Sequence, residues 1–221
     1  ASGFEDETVQ AAAKHIGEGY TTEEDCLRNF YMYRTANSGN KPVFMLDAHS
    51  DEVGFMVHSI RPNGTLRFVA LGGWNVGSLA SSKVLVRNSE GKYLPGVIAA
   101  KPVHFMSASE KASAGAADIS SLSIDIGAVS AKDAAENFKI RIGEPGVPDV
   151  TLEYDEEHDL MFGKAFDCRI GCAALIETLR RLRDEKLDVD VVGVLSSQEE
   201  VGERGMKVAV NHIKPQIAIC F

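Results

Sequence analysis

From residue 160 to residue 221 the chain alternates apolar strand, amphipathic helix, apolar strand, helix and apolar strand, and this alternation restricts the fold more than any other feature. Residues 160–166 (LMFGKAF), 189–195 (VDVVGVL) and 216–221 (QIAICF) are short, nearly continuous apolar runs, as a sheet buried on both faces requires. Between the first two, residues 169–187 place Cys172, Ile176, Leu179 and Leu182 on one helical face, with Arg180, Arg181, Arg183 and Asp184 largely opposite. Residues 202–213 read as a second helix, stopped by Pro215, which cannot extend it. This order predicts parallel pairing through right-handed crossovers.

The N-terminal part continues the pattern. Residues 5–16 carry Val9, Ala12, Ala13 and Ile16 at helical spacing after an acidic first turn. Residues 28–34 are aromatic-rich and strand-like, a turn follows at 37–40, and Val43-Phe44-Met45-Leu46 reads as a buried strand. The middle has another texture. Short β-branched segments alternate with turns such as Pro62-Asn63-Gly64 and Asn88-Ser89-Glu90-Gly91. Strands are expected at 65–70, 83–87, 92–99, 121–125 and 138–142, with no long amphipathic helix, so a small barrel or sandwich is predicted. Residues 106–118 are small and polar and read as a mobile loop. The expected organisation is an α/β domain built from 1–59 and 155–221, interrupted by a β-rich insert over 60–154.

Composition narrows the function classes. Hydrophobic residues at 44% and charged residues at 25% match globular averages and exclude a disordered or collagenous chain. A net charge of −9 leaves no basic stripe for a phosphate backbone, so no nucleic-acid partner is expected; it suits a protein that handles cations. No apolar run approaches the ~18 residues of a membrane helix, and the first residues lack the pattern of a signal peptide. Cys26, Cys168, Cys172 and Cys220 form no CxxC pair and are too sparse for a disulfide framework, which predicts reduced thiols in a cytoplasmic protein.

Ligands of open α/β sheets collect beyond the carboxyl ends of the strands. After 43–46 comes Asp47-Ala48-His49-Ser50-Asp51-Glu52; after 160–166 comes Asp167; after 189–195 comes Ser196-Ser197-Gln198-Glu199-Glu200. Three strands thus bring carboxylates and one histidine to one rim. Such acids repel unless protonated, paired or bridged by cations, and a mixed His and carboxylate set fits zinc or a similar divalent ion. Taken singly each motif is weak. Glu199-Glu200 suits any helix start, and Asp167 reads equally well as the N-cap of the following helix. His15, His58, His158 and His212 have no ligand-like company.

The segments HSDEVGF (49–55), LGGW (71–74), KPVH (101–104), IDIGA (124–128), FDCRIG (166–171) and EEVGERG (199–205) occur in that order. Together they resemble the dinuclear metalloaminopeptidases of the tetrahedral, glutamyl and deblocking type, some of which are called endoglucanases. The resemblance spans essentially the whole chain. It implies a mixed sheet flanked by helices with an inserted small β-barrel for dimerisation, and two divalent ions, zinc or cobalt. It further implies that His49 ligates one ion, Asp167 bridges both, Glu200 ligates the second, Glu199 is the general base and Asp51 orients His49. Peptides with a free N-terminus are the implied substrates, and a dimer that builds a larger cage is the implied assembly, with Trp74 and Phe105 as interface candidates. His104, in the KPVH segment, reads as a structural or subunit-contact residue, and Arg169 as a support for Asp167. The resemblance also implies further ligands beyond Phe221, so that residues 1–221 supply each ion with two protein ligands, one shared, and hold metal loosely by themselves. The alternatives are a related dinuclear deacylase or carboxypeptidase and a noncatalytic assembly module; LGGW and IDIGA favour the aminopeptidase.

Overall fold

The computed structural model describes residues 1–108 and 118–221; most of the loop expected at 106–118 lies outside the described residues. In chain order the helices and strands are α1 (Asp6–Ile16), β1 (Tyr20–Glu24), β2 (Phe30–Arg34), β3 (Val43–His49), β4 (Gly54–Ile60), β5 (Leu66–Leu71), β6 (Lys83–Arg87), β7 (Tyr93–Ala99), β8 (Ser123–Asp125), α2 (Ala131–Glu136), β9 (Pro145–Pro148), β10 (Glu153–Asp155), β11 (Leu160–Phe162), α3 (Phe166–Leu182), β12 (Asp190–Ser196), α4 (Arg204–Ile213) and β13 (Ile217–Cys220). Two compact units emerge: Ser2–Glu52 with Ala165–Phe221, and Val53–Lys164 together with Ala1.

The first unit is an α/β layer structure on a five-stranded mixed sheet of order β1-β2-β12-β3-β13. β3 runs parallel to β12 and β13, while β2 is antiparallel to β12 and to β1. Every residue of β12 is buried, because both faces of the strand are covered. Val191 and Leu195 join a core with Val9, Leu175 and Leu179, from α1 and α3. Val192 and Val194 pack on the other face with Tyr31, Met45 and Ala209, the last from α4. The period of two sends alternate residues into two different cores, so the strand shows no polar alternation. At Gly193 a Cβ would stand 2.5 Å from Leu179 Cδ1 and 3.1 Å from Leu175 Cδ2, so the missing side chain lets α3 lie close to the sheet.

Residues 160–166 are not a strand of this sheet. Among the described residues Leu160–Phe162 pairs only with β10, as a two-stranded hairpin in the second unit, and its three residues are exposed. The parallel neighbours of β3 are β12 and β13, so the sheet is assembled from strands far apart in sequence. α3 ends at Leu182, short of the expected 187, and regular helical geometry starts only after Cys168.

The second unit is a closed six-stranded barrel of order β4-β5-β8-β7-β6-β9. Alternate residues Phe55/Val57, Leu66/Phe68 and Val84/Val86 point inward and form its core with Ile98 and Ile124. Closure leaves no unpaired strand edge, which explains how such short strands hold together. The strand expected at 138–142 is absent. Ile140 is buried beneath the barrel, but its N–H closes on Ala134 O at the end of the short helix α2, and the sixth strand is Pro145–Pro148 instead. Gly54–Ile60 also belongs to the barrel, so the units change at 52/53 and 164/165, in place of the expected 59/60 and 154/155. Trp74 is half-buried: it stacks on Phe55 at 4.8 Å and donates its indole N–H to Gly54 O at 3.0 Å, sealing the barrel. Phe105, by contrast, is 73% exposed. No helix among the described residues is long and apolar enough to cross a membrane, and all four cysteines are free thiols.

Leu179, fully buried between α3 and β12, tests the α/β core. Leu179→Ala should destabilise that unit by about 2–5 kcal/mol, read as a lower urea midpoint by circular dichroism.

Candidate active site

The parallel register of the central strands sets the site. Ser196, last in β12, lies opposite His49, last in β3, so the two following loops leave the sheet side by side. One loop carries Ser50-Asp51-Glu52 and the other Ser197-Gln198-Glu199-Glu200. Asp167 arrives differently from the sequence expectation. It comes from the irregular start of α3, where Asp167 and Cys168 depart from helical φ/ψ. Its carboxylate does not cap the helix: Oδ1 lies 2.9 Å from His49 Nε2, and the side chain is 87% exposed.

Around His49 the remaining acids converge. Glu199 Oε2 stands 3.8 Å from the same Nε2, and Asp51 Oδ1 lies 3.3 Å from Nδ1 on the other side of the ring. That second contact is off the hydrogen-bond line, so the buried Nδ1 is held by charge and not by a well-aligned bond. Burial works against a charged imidazole, but Asp51 and Asp167 outweigh it and push the His49 pKa up to about 9. Glu200 is raised above the usual carboxylate range, first by burial and then by Asp51, Glu199 and Asp167, with His49 opposing.

Asp51 is the buried centre of this arrangement. It accepts the Ser2 hydroxyl at 2.6 Å on Oδ2, the Glu199 N–H at 3.0 Å on Oδ1 and the Glu200 N–H at 3.2 Å on Oδ2. Burial opposes its charge, but His49, Ser2 and the two amides more than compensate, and its pKa falls below the ordinary value. The two preceding amides are held likewise: Ser197 N–H by Asn29 Oδ1 at 2.9 Å, and Gln198 N–H by Glu5 Oε1 at 3.1 Å. Four successive backbone donors therefore end on side chains of three other segments.

Two neighbours behave otherwise than their positions in the sequence imply. Arg169 does not support Asp167: its Nε–H donates to Ser50 O at 2.9 Å and its other end lies 3.6 Å from Glu52. Cys168 Sγ falls within the same small group of ligand-type atoms as His49 and Asp167. Its thiol, however, reaches Phe221 O at 3.3 Å, and burial raises its pKa, which disfavours the thiolate that binds metal. Asp47, beneath the rim, accepts from Ser196 Oγ at 3.1 Å and is pushed up to about 6, chiefly by burial. The other histidines stay apart. His15, His58 and His104 are exposed, His158 pairs with Asp155 in a surface turn at 2.8 Å, and His212 leans on the Tyr31 ring.

The donor set fits a divalent cation. An imidazole nitrogen and three carboxyl groups meet at one open rim, and no Lys or Arg ion pair offsets Asp167, Glu199 or Glu200 among the described residues. Imidazole and carboxylate together are the ligands of zinc and similar ions.

A profile of the M42 glutamyl aminopeptidase family matches residues 29–221. The chain belongs to this family. It is 34% identical over 205 residues to the glutamyl aminopeptidase of Lactococcus lactis subsp. cremoris (strain MG1363), covering 93% of this chain and 57% of that one. The TET aminopeptidase of Thaumarchaeota archaeon SCGC AB-539-E09 superposes with a TM-score of 0.91 at 33% identity, over 99% of this chain and 60% of that one. The TET1 peptidase of Pyrococcus horikoshii, described as assembling into a tetrahedron or a large octahedral shell, gives 0.86 at 29% identity, over 100% and 64%. The chain thus spans little more than half the length of the first of these relatives. Membership agrees with the mixed sheet, the barrel and the motif order that the sequence displays.

Sequence reasoning missed Glu5, Asn29 and Ser2. An acid ahead of a helix reads as a favourable partner of the helix dipole, and Asn29 stands in an aromatic strand-like run. Only long-range hydrogen bonds reveal their partners.

Asp51→Asn leaves one acceptor oxygen where two now serve three donors and His49. It should cost about 1–3 kcal/mol by urea denaturation in chelator, through at least one unpaired buried donor. An unchanged midpoint would remove Asp51 from the centre of the site.

Proposed function

We propose that the protein is a metal-dependent aminopeptidase that removes N-terminal residues from peptides. The observation that carries this reading is the meeting of His49 Nε2, Asp167 Oδ1 and Glu199 Oε2, at 2.9 and 3.8 Å, in a chain of the M42 family. His49 and Asp167 would hold one divalent ion and Asp167 and Glu200 a second, zinc or cobalt, with Asp167 shared between them. When bound, the ions supply the positive charge that acidifies a water and polarises the scissile carbonyl.

The protein's own groups do the rest. Glu199 takes the proton of the attacking water and returns it to the leaving amine. Its neighbour Glu200 would hold an ion, so adjacent residues would divide the two tasks at one turn. Asp51 orients His49 through Nδ1, leaving Nε2 for the ion. The exposed carboxylates attract the ammonium of a free peptide N-terminus, which an acetylated peptide lacks. The barrel unit serves self-association, as a dimer that builds a larger cage; the exposed Phe105 and the assembly described for the TET1 peptidase support this. The four free thiols support a cytoplasmic setting.

A panel of aminoacyl chromogenic substrates on the full-length protein tests the reading: free amines should be cleaved, acetylated ones spared, and chelator should abolish the reaction. Glu199→Gln should abolish turnover yet keep metal, since the amide is nearly isosteric but cannot take the proton. Asp167→Asn should lose metal as well, and two retained ions by elemental analysis would refute its bridging role. Excision of residues 53–164 should leave a monomer by light scattering; an unchanged size would assign the barrel another role.

A further inference from the structure

Glu5 is buried to 2% exposure at the start of α1, yet it neither caps that helix nor meets a cation in any ion pair among the described residues. Its Oε1 instead accepts two amides, Gly3 N–H at 2.7 Å and Gln198 N–H at 3.1 Å, while Oε2 is buried with no partner among the described residues. Burying a carboxyl group on these terms is costly, and surface acids at a helix start are commonplace without it. The cost is explained by what the Gln198 amide belongs to. Gln198 has φ 54°, a left-handed conformation that a residue with a Cβ seldom adopts, and it directly precedes Glu199. Asp51 holds the next two amides, so Glu5 and Asp51 between them grip three consecutive N–H groups of one strained turn.

We propose that Glu5 is a positioning residue of the hydrolytic site: through the Gln198 amide it fixes the left-handed turn that aims Glu199 at His49. The inference rests on the aminopeptidase reading for its effect on rate, but not for its effect on the turn. Without the Glu5 anchor, Gln198 relaxes toward ordinary backbone angles, and the rotation swings Glu199, one residue on. Ser2 adds a second tether from the same segment, through Asp51 Oδ2 at 2.6 Å. Because both donors reach one oxygen, a glutamine carbonyl at the Oε1 position retains the contact. Burial raises the Glu5 pKa, with the amides of Gly3 and Gln198 opposing.

The test compares Glu5→Ala and Glu5→Gln in the full-length, metal-loaded protein. Glu5→Ala should lower kcat about 100-fold, the scale of a small displacement of a reacting group, with KM within about threefold and metal content unchanged. Glu5→Gln should restore kcat to within about threefold of wild type. Independently of activity, amide hydrogen exchange at residues 198–200 should speed up in Glu5→Ala and not in Glu5→Gln. If Glu5→Ala does not fold, Ser2→Ala, which loosens the same turn from Asp51, should show the faster exchange. Unchanged exchange and kcat in Glu5→Ala overturn the proposal, as does a fall in thermal stability without a fall in kcat. A wild-type protein inactive on every substrate sinks the aminopeptidase reading, and the exchange measurement still decides the role of Glu5.

Discussion

A buried carboxylate that accepts from several segments at once ties their positions together, and Asp51 does this for the α/β unit. Its two oxygens join the loop after β3, the loop after β12 and the segment ahead of α1. The charge is tolerable in a buried place because a hydroxyl and two amide groups point at it and the His49 ring lies alongside. The consequence is a turn whose backbone is anchored at every amide from Ser197 to Glu200. Backbone N–H groups beyond a strand end would ordinarily turn to water; here Asn29, Glu5 and Asp51 take them in sequence order from Ser197 to Glu200. Side chains at the tip of such a turn have few ways to move.

How much of this the sequence discloses depends on the range of the interaction. His49, Asp51, Glu199 and Glu200 are legible because each follows an apolar run, and parallel pairing is what such runs predict; the register that sets Ser196 opposite His49 comes only from the structure. Asp167 is legible as a residue but not as a geometry. The apolar stretch before it looks like a sheet strand, whereas Leu160–Phe162 pairs in a hairpin and the aspartate reaches His49 from an irregular helix start. Short apolar runs do not say with which strand they pair, and this one has all three residues exposed.

The barrel shows the same division. Its strands at 66–71, 83–87 and 93–99 follow from alternation and turn residues, because those signals are local. The sixth strand, Pro145–Pro148, carries two prolines and a glycine and has little strand propensity; it is a strand because β4 and β6 flank it. Residues 138–142 have the alternation but spend it differently, with Ile140 buried as the chain leaves α2. Trp74 looks like an interface residue by type, but a large ring near a loop also suits closing a barrel end, and its indole N–H finds Gly54 O there.

Charge settles what kind of chemistry the rim is prepared for. The chain carries 32 acidic against 23 basic residues, and a fold free to minimise repulsion would scatter them. Instead the α/β unit gathers Asp47, Asp51, Asp167, Glu199 and Glu200 around one histidine, while Arg169 is engaged by Ser50 O and Glu52. Burial and mutual repulsion raise Asp47 and Glu200, whereas Asp51, with its full set of donors, is lowered. The difference separates two roles within one cluster. Asp51 has its charge satisfied by the protein and belongs to the framework. Glu200 does not, and Asp167 and Glu199 stand at the open side of the imidazole. A cation placed among these three acids relieves the repulsion that the fold has built in, so the acid-rich rim is stable as a receptor for positive charge.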